Sequence, residues 1–354
     1  MLKIKKKWLN SVYRVKNEVK KRQKLFRLDK NEKIEKFSKN LWNKFLKQLT
    51  QEDFQAYPEI EELYLKLSKK ININRQNIFI TSGSDNSIRN FFEIFTEKNS
   101  QVITSNPCFP MYNVYSKINK NKLLFIKYDK NLNLDLNDFY KKISGKIDGV
   151  IIANPNSPVG DLIKENELKK IILKTNKYGI PFFLDQAYYE FSDTDMIKLT
   201  KKFDNLIISR TFSKGMGAAG VRLAYIISNK KIINLFEKIR PLYEVNQIAV
   251  KYGIFILNNF NLAKTYCKKT IVSRNKLCKI FKLHNIDVVN SNTNSIHINF
   301  DKNLTKVKKI FKKFKILYKL SKLPNSNYKQ WVRLTVFPGI EKEEFIKKIL
   351  LCQK

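Results

Sequence analysis

Histidine is nearly absent. His284 and His297 are the only two in 354 residues, which argues against a histidine-based metal centre or a nucleophile–histidine triad. The four cysteines, Cys108, Cys267, Cys278 and Cys352, are scattered and form no CxxC pair. They read as reduced thiols of a cytoplasmic protein. No apolar run approaches the about 18 residues that a membrane span needs. The start, from Met1 to Trp8, lacks the apolar core of a signal peptide. Gly/Ser-rich linkers and internal repeats are missing too. Acidic residues are few, 31 against 69 Lys and Arg, for a formal net charge of +38. So basic a chain invites a nucleic-acid partner. Its basic residues are nevertheless spread along the whole length, and abundant Lys, Asn and Ile together suggest an AT-rich coding bias, so nucleic-acid binding is not the expected function. The densest basic cluster, Lys3 to Lys24, is interleaved with Trp8, Leu9, Val12, Tyr13 and Val15. It reads as an amphipathic arm or helix.

What is present is enough apolar sequence, 43%, for a substantial core. Seven short β-branched and apolar runs recur: Ile78 to Thr81, Gln101 to Ser105, Leu123 to Tyr128, Gly149 to Ala153, Pro181 to Asp185, Leu206 to Ser209 and Leu223 to Ser228. Segments of helical period, such as Ser87 to Phe95 and Glu165 to Tyr178, separate most of them. That alternation predicts an α/β fold with a mainly parallel seven-stranded sheet and helices on both faces. Beyond about Lys230 the chain turns to long Lys-rich helical stretches, Leu262 to Leu283 and Glu341 to Leu351. Between them, Ile296 to Phe300 and Trp331 to Val336 alternate as strands. A smaller α+β domain is expected there. The division predicted is a basic arm and small-domain segment over 1–45, a large domain over 46–245 and a small C-terminal domain over 246–354.

In an α/β sheet, ligands sit beyond the carboxyl ends of the strands, and here each run ends in unusual polar residues. Thr81-Ser82-Gly83-Ser84-Asp85 opens a helix and offers an anion site. Asn106-Pro107-Cys108-Phe109-Pro110 fixes a loop whose Phe109 is suited to stack on a flat heteroaromatic ring. Asn154-Pro155-Asn156-Ser157-Pro158-Val159-Gly160 is a rigid polar turn. Asp185-Gln186-Ala187-Tyr188 supplies a carboxylate able to hold a pyridine nitrogen protonated and a phenol for a ring oxygen. Thr211-Phe212-Ser213-Lys214-Gly215 sets a lysine in a hydroxyl-rich turn, where it can form a Schiff base, and Arg222 follows to hold a phosphate.

On these elements the chain resembles fold-type I pyridoxal-phosphate aminotransferases of class I/II, close to the histidinol-phosphate group, from about Leu28 to the C-terminus. The Thr-x-Ser-Lys…Arg element (Thr211, Ser213, Lys214, Arg222) is highly specific. The Asn-Pro-Asn-x-Pro-x-Gly and Asp-x-Ala-Tyr turns support it. The resemblance implies the cofactor pyridoxal 5'-phosphate, with Lys214 as its Schiff-base lysine, Asp185 on the pyridine nitrogen, Tyr188 at the ring hydroxyl and Phe109 stacked on the ring. Ser84, Asp85 through its backbone N–H, Thr211, Ser213 and Arg222 would hold the phosphate. Tyr57, in Ala56-Tyr57-Pro58-Glu59, matches a tyrosine that reaches the neighbouring subunit's cofactor, which implies a homodimer with shared sites. Asn31 and Glu32 match an element passing near the substrate. Arg333, in Val332-Arg333-Leu334-Thr335-Val336, matches the arginine that grips a substrate carboxylate.

Four positions depart from the family pattern. Ser157 replaces an asparagine that bonds the ring oxygen, leaving Tyr188 or Asn156 to make that contact. Gln186 replaces glutamate, Phe337-Pro338 replaces a glycine near Arg333, and Glu244 puts a carboxylate between the expected domains. The expected activity is ping-pong transfer of an amino group from a donor, glutamate above all, to a keto acceptor, with a small and possibly phosphorylated substrate such as histidinol phosphate. A decarboxylase of the threonine-phosphate type, or a transaminase for a phosphonate or sugar-pathway substrate, would use the same residues. A non-catalytic basic binding protein is the remaining reading, and retention of Lys214 and Asp185 speaks against it.

Overall fold

A computed structural model describes residues 6–13, 21–192, 194–321, 323 and 331–352. Of the basic arm, residues 3–5 and 14–20 lie outside those described. The part of it that is described forms a short 3-10 turn, Lys7–Ser11. There the Trp8 indole donates to the Ile118 carbonyl at 3.2 Å and lies under the Lys120 ammonium.

The chain enters through a two-residue strand, β1 (Phe26–Arg27), and then builds seven strands in succession. These are β2 (Ile78–Thr81), β3 (Gln101–Asn106), β4 (Lys122–Lys127), β5 (Gly149–Ala153), β6 (Phe182–Asp185), β7 (Leu206–Thr211) and β8 (Ala224–Ile227). They hydrogen-bond in the order β2-β8-β7-β6-β5-β3-β4. All pairs are parallel except those that β8 makes with β2 and β7. Five of the strands, β2, β5, β6, β7 and β8, are buried at every position, as a sheet covered on both faces requires. One apolar cluster fills one side, and a second, around Phe79, Phe91, Ile151, Phe183 and Ile226, fills the other. The sheet is therefore the mainly parallel, two-faced one that the alternation of apolar runs and helical segments predicts.

The smaller unit is a four-stranded antiparallel sheet of β9 (Asp287–Val289), β10 (Ser295–Asn299), β12 (Lys319–Ser321) and β13 (Trp331–Thr335), in the order β12-β13-β10-β9. A two-residue strand, β11 (Ile316–Leu317), pairs in parallel with β1. The N-terminal segment thus joins the C-terminal unit through Phe26–Arg27, and Leu28 is buried in the same cluster as Phe281, Ile298 and Leu334. Phe45 already packs in the core of the large sheet, and that core runs past residue 245 through Ala249, Phe255 and Ala263. The long helix Phe260–Leu283 contributes to both units, with Ala263 in the large core and Leu277 and Phe281 in the small one. It spans the seam, which is why no linker composition marks it.

Candidate active site

Register places the site. Thr81 pairs with Ala224, and Ala224 also pairs with Thr211. Three segments therefore leave one row of the sheet together: Gly83-Ser84 after β2, Ser213-Lys214 after β7, and Arg222 just before β8. One strand over, Ala153, Asp185 and Ser209 form a second row at the same edge. The polar ends of five strands converge because parallel neighbours all finish on one side.

The first row makes an anion cradle. The helix Ser84–Phe95 begins at Gly83, and its first bond runs from the Asn86 N–H to the Gly83 carbonyl. The Ser84 and Asp85 N–H groups are left at the positive end of the helix dipole. The Asp85 side chain accepts from the Tyr115 hydroxyl at 3.1 Å, so the residue faces the cradle with its backbone. Gly83 sits at φ +90°, and a Cβ there would lie 2.6 Å from Arg222 Nη2. The guanidinium thus lies flat against a position that only glycine leaves open. Arg222 itself adopts φ 60°, a left-handed conformation uncommon outside glycine and concentrated at functional sites. Opposite, Thr211 Oγ1 donates to Ser213 Oγ at 2.9 Å and accepts from the Ser213 N–H at 3.1 Å. Hydroxyls, helix N–H groups and a guanidinium are the donor set a phosphate dianion needs.

The second row holds the acid–base groups. Asp185 is buried at 4% exposure. It accepts from the Tyr112 hydroxyl and from the Ala187 N–H, both at 3.0 Å. Burial pushes its carboxyl up to about 6, against the pull of those two bonds and of Lys214. A cation placed against it would favour the charged form. Tyr112 is the residue the sequence reading missed. Its spacing from Phe109, one turn along the helix Pro110–Ile118, was the available signal. Phe109 is half-buried and meets Tyr112 edge-on at 6.0 Å, which keeps it beside Asp185.

Lys214 Nζ donates to the Lys30 carbonyl at 3.0 Å and lies 5.4 Å from the Tyr188 ring centroid. Burial alone would raise the Tyr188 phenol, yet Lys214, Arg333 and hydrogen bonds with Ser157 and Asn31 bring it below the ordinary value. The Asn31 amide donates to Tyr188 Oη at 3.1 Å and to Ser295 Oγ at 3.3 Å. Ser157, though shorter than an asparagine, is one of the groups that lower the phenol. Arg333 donates to the Asp29 carbonyl at 2.9 Å, and its buried Nε has no partner among the described residues. An orphaned guanidinium nitrogen beside Tyr188 is suited to an arriving carboxylate.

Three of the expected residues lie away from this group, Tyr57 as its expected role at a partner's site requires. Asn156 is taken up by β3 and its own turn, donating to Ser105 Oγ at 3.0 Å and accepting from the Val159 N–H at 3.2 Å. Glu32 turns to Arg22 and Arg27, at 2.8 and 2.9 Å. Tyr57 is 74% exposed and stacks on Tyr243 at 4.2 Å. Gln186 accepts twice from buried Arg210, at 3.1 and 2.8 Å, while Asp195 supplies the charge that a glutamate at 186 would have brought. Phe337 packs edge-on against Phe26, inside the small core. Burial, with Glu237 nearby, holds the Glu244 carboxyl up at about 8. A cavity of about 830 Å³, lined by Val159, Gly160, Asp161, Val288, Asn292 and Trp331 among others, lies beside the turn that follows Ser157. Lys214, Asp185, Tyr188, Arg222 and Arg333 do not line it.

Behind Lys214, the Glu190 carboxylate accepts from the Gly215 N–H at 2.9 Å. Any Cβ on Gly215 would collide with Glu190 and Cys267. Burial raises this carboxyl from 4.5 to about 7, against the Gly215 N–H and Arg210. Folding therefore takes up a proton between about pH 4.5 and 7, and stability falls as pH rises through that window. Glu190→Gln keeps the acceptor without the charge. In calorimetric melts it is expected to raise Tm at pH 8 and change it little at pH 5; an equal shift at both would mean that the carboxyl is not held neutral.

A large parallel sheet with a smaller domain, a lysine and an acid at neighbouring strand ends, and a phosphate cradle between them define a cofactor-dependent group-transfer enzyme. The comparisons narrow the class. The chain belongs to the class I and II aminotransferase family, whose model matches residues 28–348. It is 31% identical over 314 residues to the histidinol-phosphate aminotransferase of Clostridium novyi, covering 88% of this chain and 86% of that protein. Its fold is similar to the histidinol-phosphate aminotransferase of Sinorhizobium meliloti in complex with pyridoxal-5'-phosphate, with a TM-score of 0.82, 21% identity and coverage of 98% and 96%. It is also similar to an L-threonine-O-3-phosphate decarboxylase from Porphyromonas gingivalis, with a TM-score of 0.77, 18% identity and coverage of 92% and 98%.

Proposed function

We propose that the chain is a pyridoxal-phosphate-dependent aminotransferase that moves an amino group between glutamate and 2-oxoglutarate on one side and a small phosphorylated substrate, histidinol phosphate, on the other. The carrying observation is the convergence of Lys214, Asp185 and the Gly83–Ser84/Ser213/Arg222 cradle at one edge of the sheet. The cofactor fits that donor set. The helix start at Gly83–Ser84, the Thr211 and Ser213 hydroxyls and Arg222 would hold its phosphate, Asp185 would hold its ring nitrogen, and Phe109 would pack against its ring. When bound, it supplies an electron-accepting ring that stabilises developing charge on the substrate's Cα.

The protein's own groups do the remainder. Lys214 Nζ takes the proton from the donor's Cα and returns one to the acceptor's Cα. Asp185, kept in place by Tyr112 and the Ala187 N–H, would keep a proton on the ring nitrogen. Tyr188, steadied by Asn31, would bond the ring oxygen. Arg333 grips the α-carboxylate of glutamate, and the phosphate of a substrate that has no carboxylate. Exposed Phe54, Tyr57 and Leu242, at 70–80% exposure, with Tyr243 stacked on Tyr57, form an apolar patch suited to a second copy of the chain. This supports a homodimer with Tyr57 facing the partner's site. No helix among the described residues is long and apolar enough to cross a membrane. The four cysteines are unpaired, which supports a reducing, cytoplasmic setting.

The test is the visible spectrum of the purified protein reconstituted with pyridoxal phosphate. L-glutamate is expected to bleach the bound-cofactor band and 2-oxoglutarate to restore it. Histidinol phosphate should then bleach it as well. In Arg333→Ala the glutamate concentration needed should rise about 10²-fold with cofactor affinity little changed, as expected for loss of a charge-assisted bidentate contact. A band indifferent to every amino donor, with carbon dioxide released from a phosphorylated amino acid, would replace this reading by a decarboxylase.

A further inference from the structure

His297 is fully buried in β10, and both its ring nitrogens are engaged. Nε2 lies 2.7 Å from the Pro158 carbonyl and Nδ1 lies 3.0 Å from Ser321 Oγ. A carbonyl only accepts, so the ring proton sits on Nε2, and the Ser321 hydroxyl donates to Nδ1. Burial, with Arg333 nearby, lowers the imidazole to about 4, so it stays neutral at working pH.

Two facts about its neighbours give this bond a consequence. Pro158 follows Ser157, one of the groups that lower the Tyr188 phenol. His297 is also the register partner of Arg333 across β10 and β13. One side chain of the small unit therefore touches the turn bordering the cofactor's ring, while standing opposite the residue that would hold the substrate. A second tie lies two residues along the turn, where the Asn292 N–H donates to the Gly160 carbonyl at 2.7 Å.

We propose that His297 is a positioning residue: by donating from Nε2 to the Pro158 carbonyl it sets the distance between the Ser157–Tyr188 wall of the ring pocket and the strand carrying Arg333. The proposal rests on the aminotransferase reading and adds a residue to it. The substrate's reacting Cα must lie between its carboxylate, held from the small unit, and the ring, held by the large one. A misplacement of about 1 Å between such anchors costs on the order of 10²-fold in rate. The phosphate cradle lies wholly in the large unit and does not feel it.

Two measurements on the reconstituted enzyme test this. The first is ¹⁵N imidazole NMR at pH 7, with the two histidines separated by a His284→Gln variant. His297 is expected as the neutral Nε2–H tautomer; an Nδ1–H tautomer or an imidazolium would overturn the bond. The second is kinetic. His297→Ala is expected to lower kcat/KM for glutamate about 10²-fold while pyridoxal-phosphate affinity changes less than about two-fold. His297→Gln, whose amide nitrogen takes about the place of Nε2, should recover most of the loss. A His297→Ala enzyme with a lower Tm but unchanged kcat/KM would make the residue packing alone. So would equal losses in cofactor affinity and turnover, or no recovery with glutamine. A native enzyme inert toward glutamate would remove the aminotransferase reading itself; a competent native enzyme indifferent to His297→Ala would remove only the role given to His297.

Discussion

Lys214→Ala is expected to lower kcat by at least about 10⁴-fold, the upper range for a single acid–base group, and to remove the visible band of the bound cofactor. The lysine is doubly committed, as the cofactor's point of attachment and as the carrier of the Cα proton. No other amine replaces it in the described geometry. The N-terminal segment that meets Lys214 carries two other lysines, Lys30, whose carbonyl Lys214 contacts, and Lys33, whose ammonium lies over the Phe37 and Tyr266 rings. The fold should survive, because Lys214 is only partly buried and its ammonium bonds a backbone carbonyl. Spectra and stopped-flow turnover of the variant check this. Retained turnover at even a hundredth of the native rate would sink the assignment of Lys214.

Asp185→Ala comes second, with an expected loss of about 10²–10³-fold in kcat, the range for deleting one preorganised electrostatic partner. Cofactor retention should weaken alongside. The substitution also strands the Tyr112 hydroxyl, which is buried and donates to Asp185, so the alanine variant should lose some stability as well. Tyr112→Phe separates the two effects. It leaves the carboxylate, removes one of its two hydrogen bonds, and should cost far less turnover than Asp185→Ala. If Tyr112→Phe were as damaging, the phenol and not the carboxylate would be the group that matters at the ring nitrogen. If both were harmless, the carboxylate has been misassigned.

Most of the large unit was legible in the chain. The seven apolar runs became seven strands with bounds shifted by a residue or two. The helix expected from Ser87 begins at Ser84, because the anion-site turn is itself the helix start. Strand runs are legible because a sheet covered on both faces must be apolar at nearly every position. The residues at the strand ends were equally visible, since they interrupt apolar sequence with Gly, Ser, Asn, Asp and Lys. The limits of the two units were harder to read. The helix Phe260–Leu283 serves both cores, and a buried helical face shows periodicity but not its partner.

The sequence by itself determined the α/β class, the strand ends where chemistry gathers, and the residue types there, because side-chain chemistry and backbone periodicity are local properties. Only the tertiary structure decided which of those residues meet. It brought Tyr112 to Asp185, held Asn156 to β3 and its own turn, and sent Glu32 to Arg22 and Arg27. It also set His297 between Pro158 and the strand of Arg333, across 139 positions of chain. The physical reason is that register and packing across the seam between the two units are long-range. Nothing in the spacing along the chain records which hydrogen-bond donor will find which acceptor once both are buried.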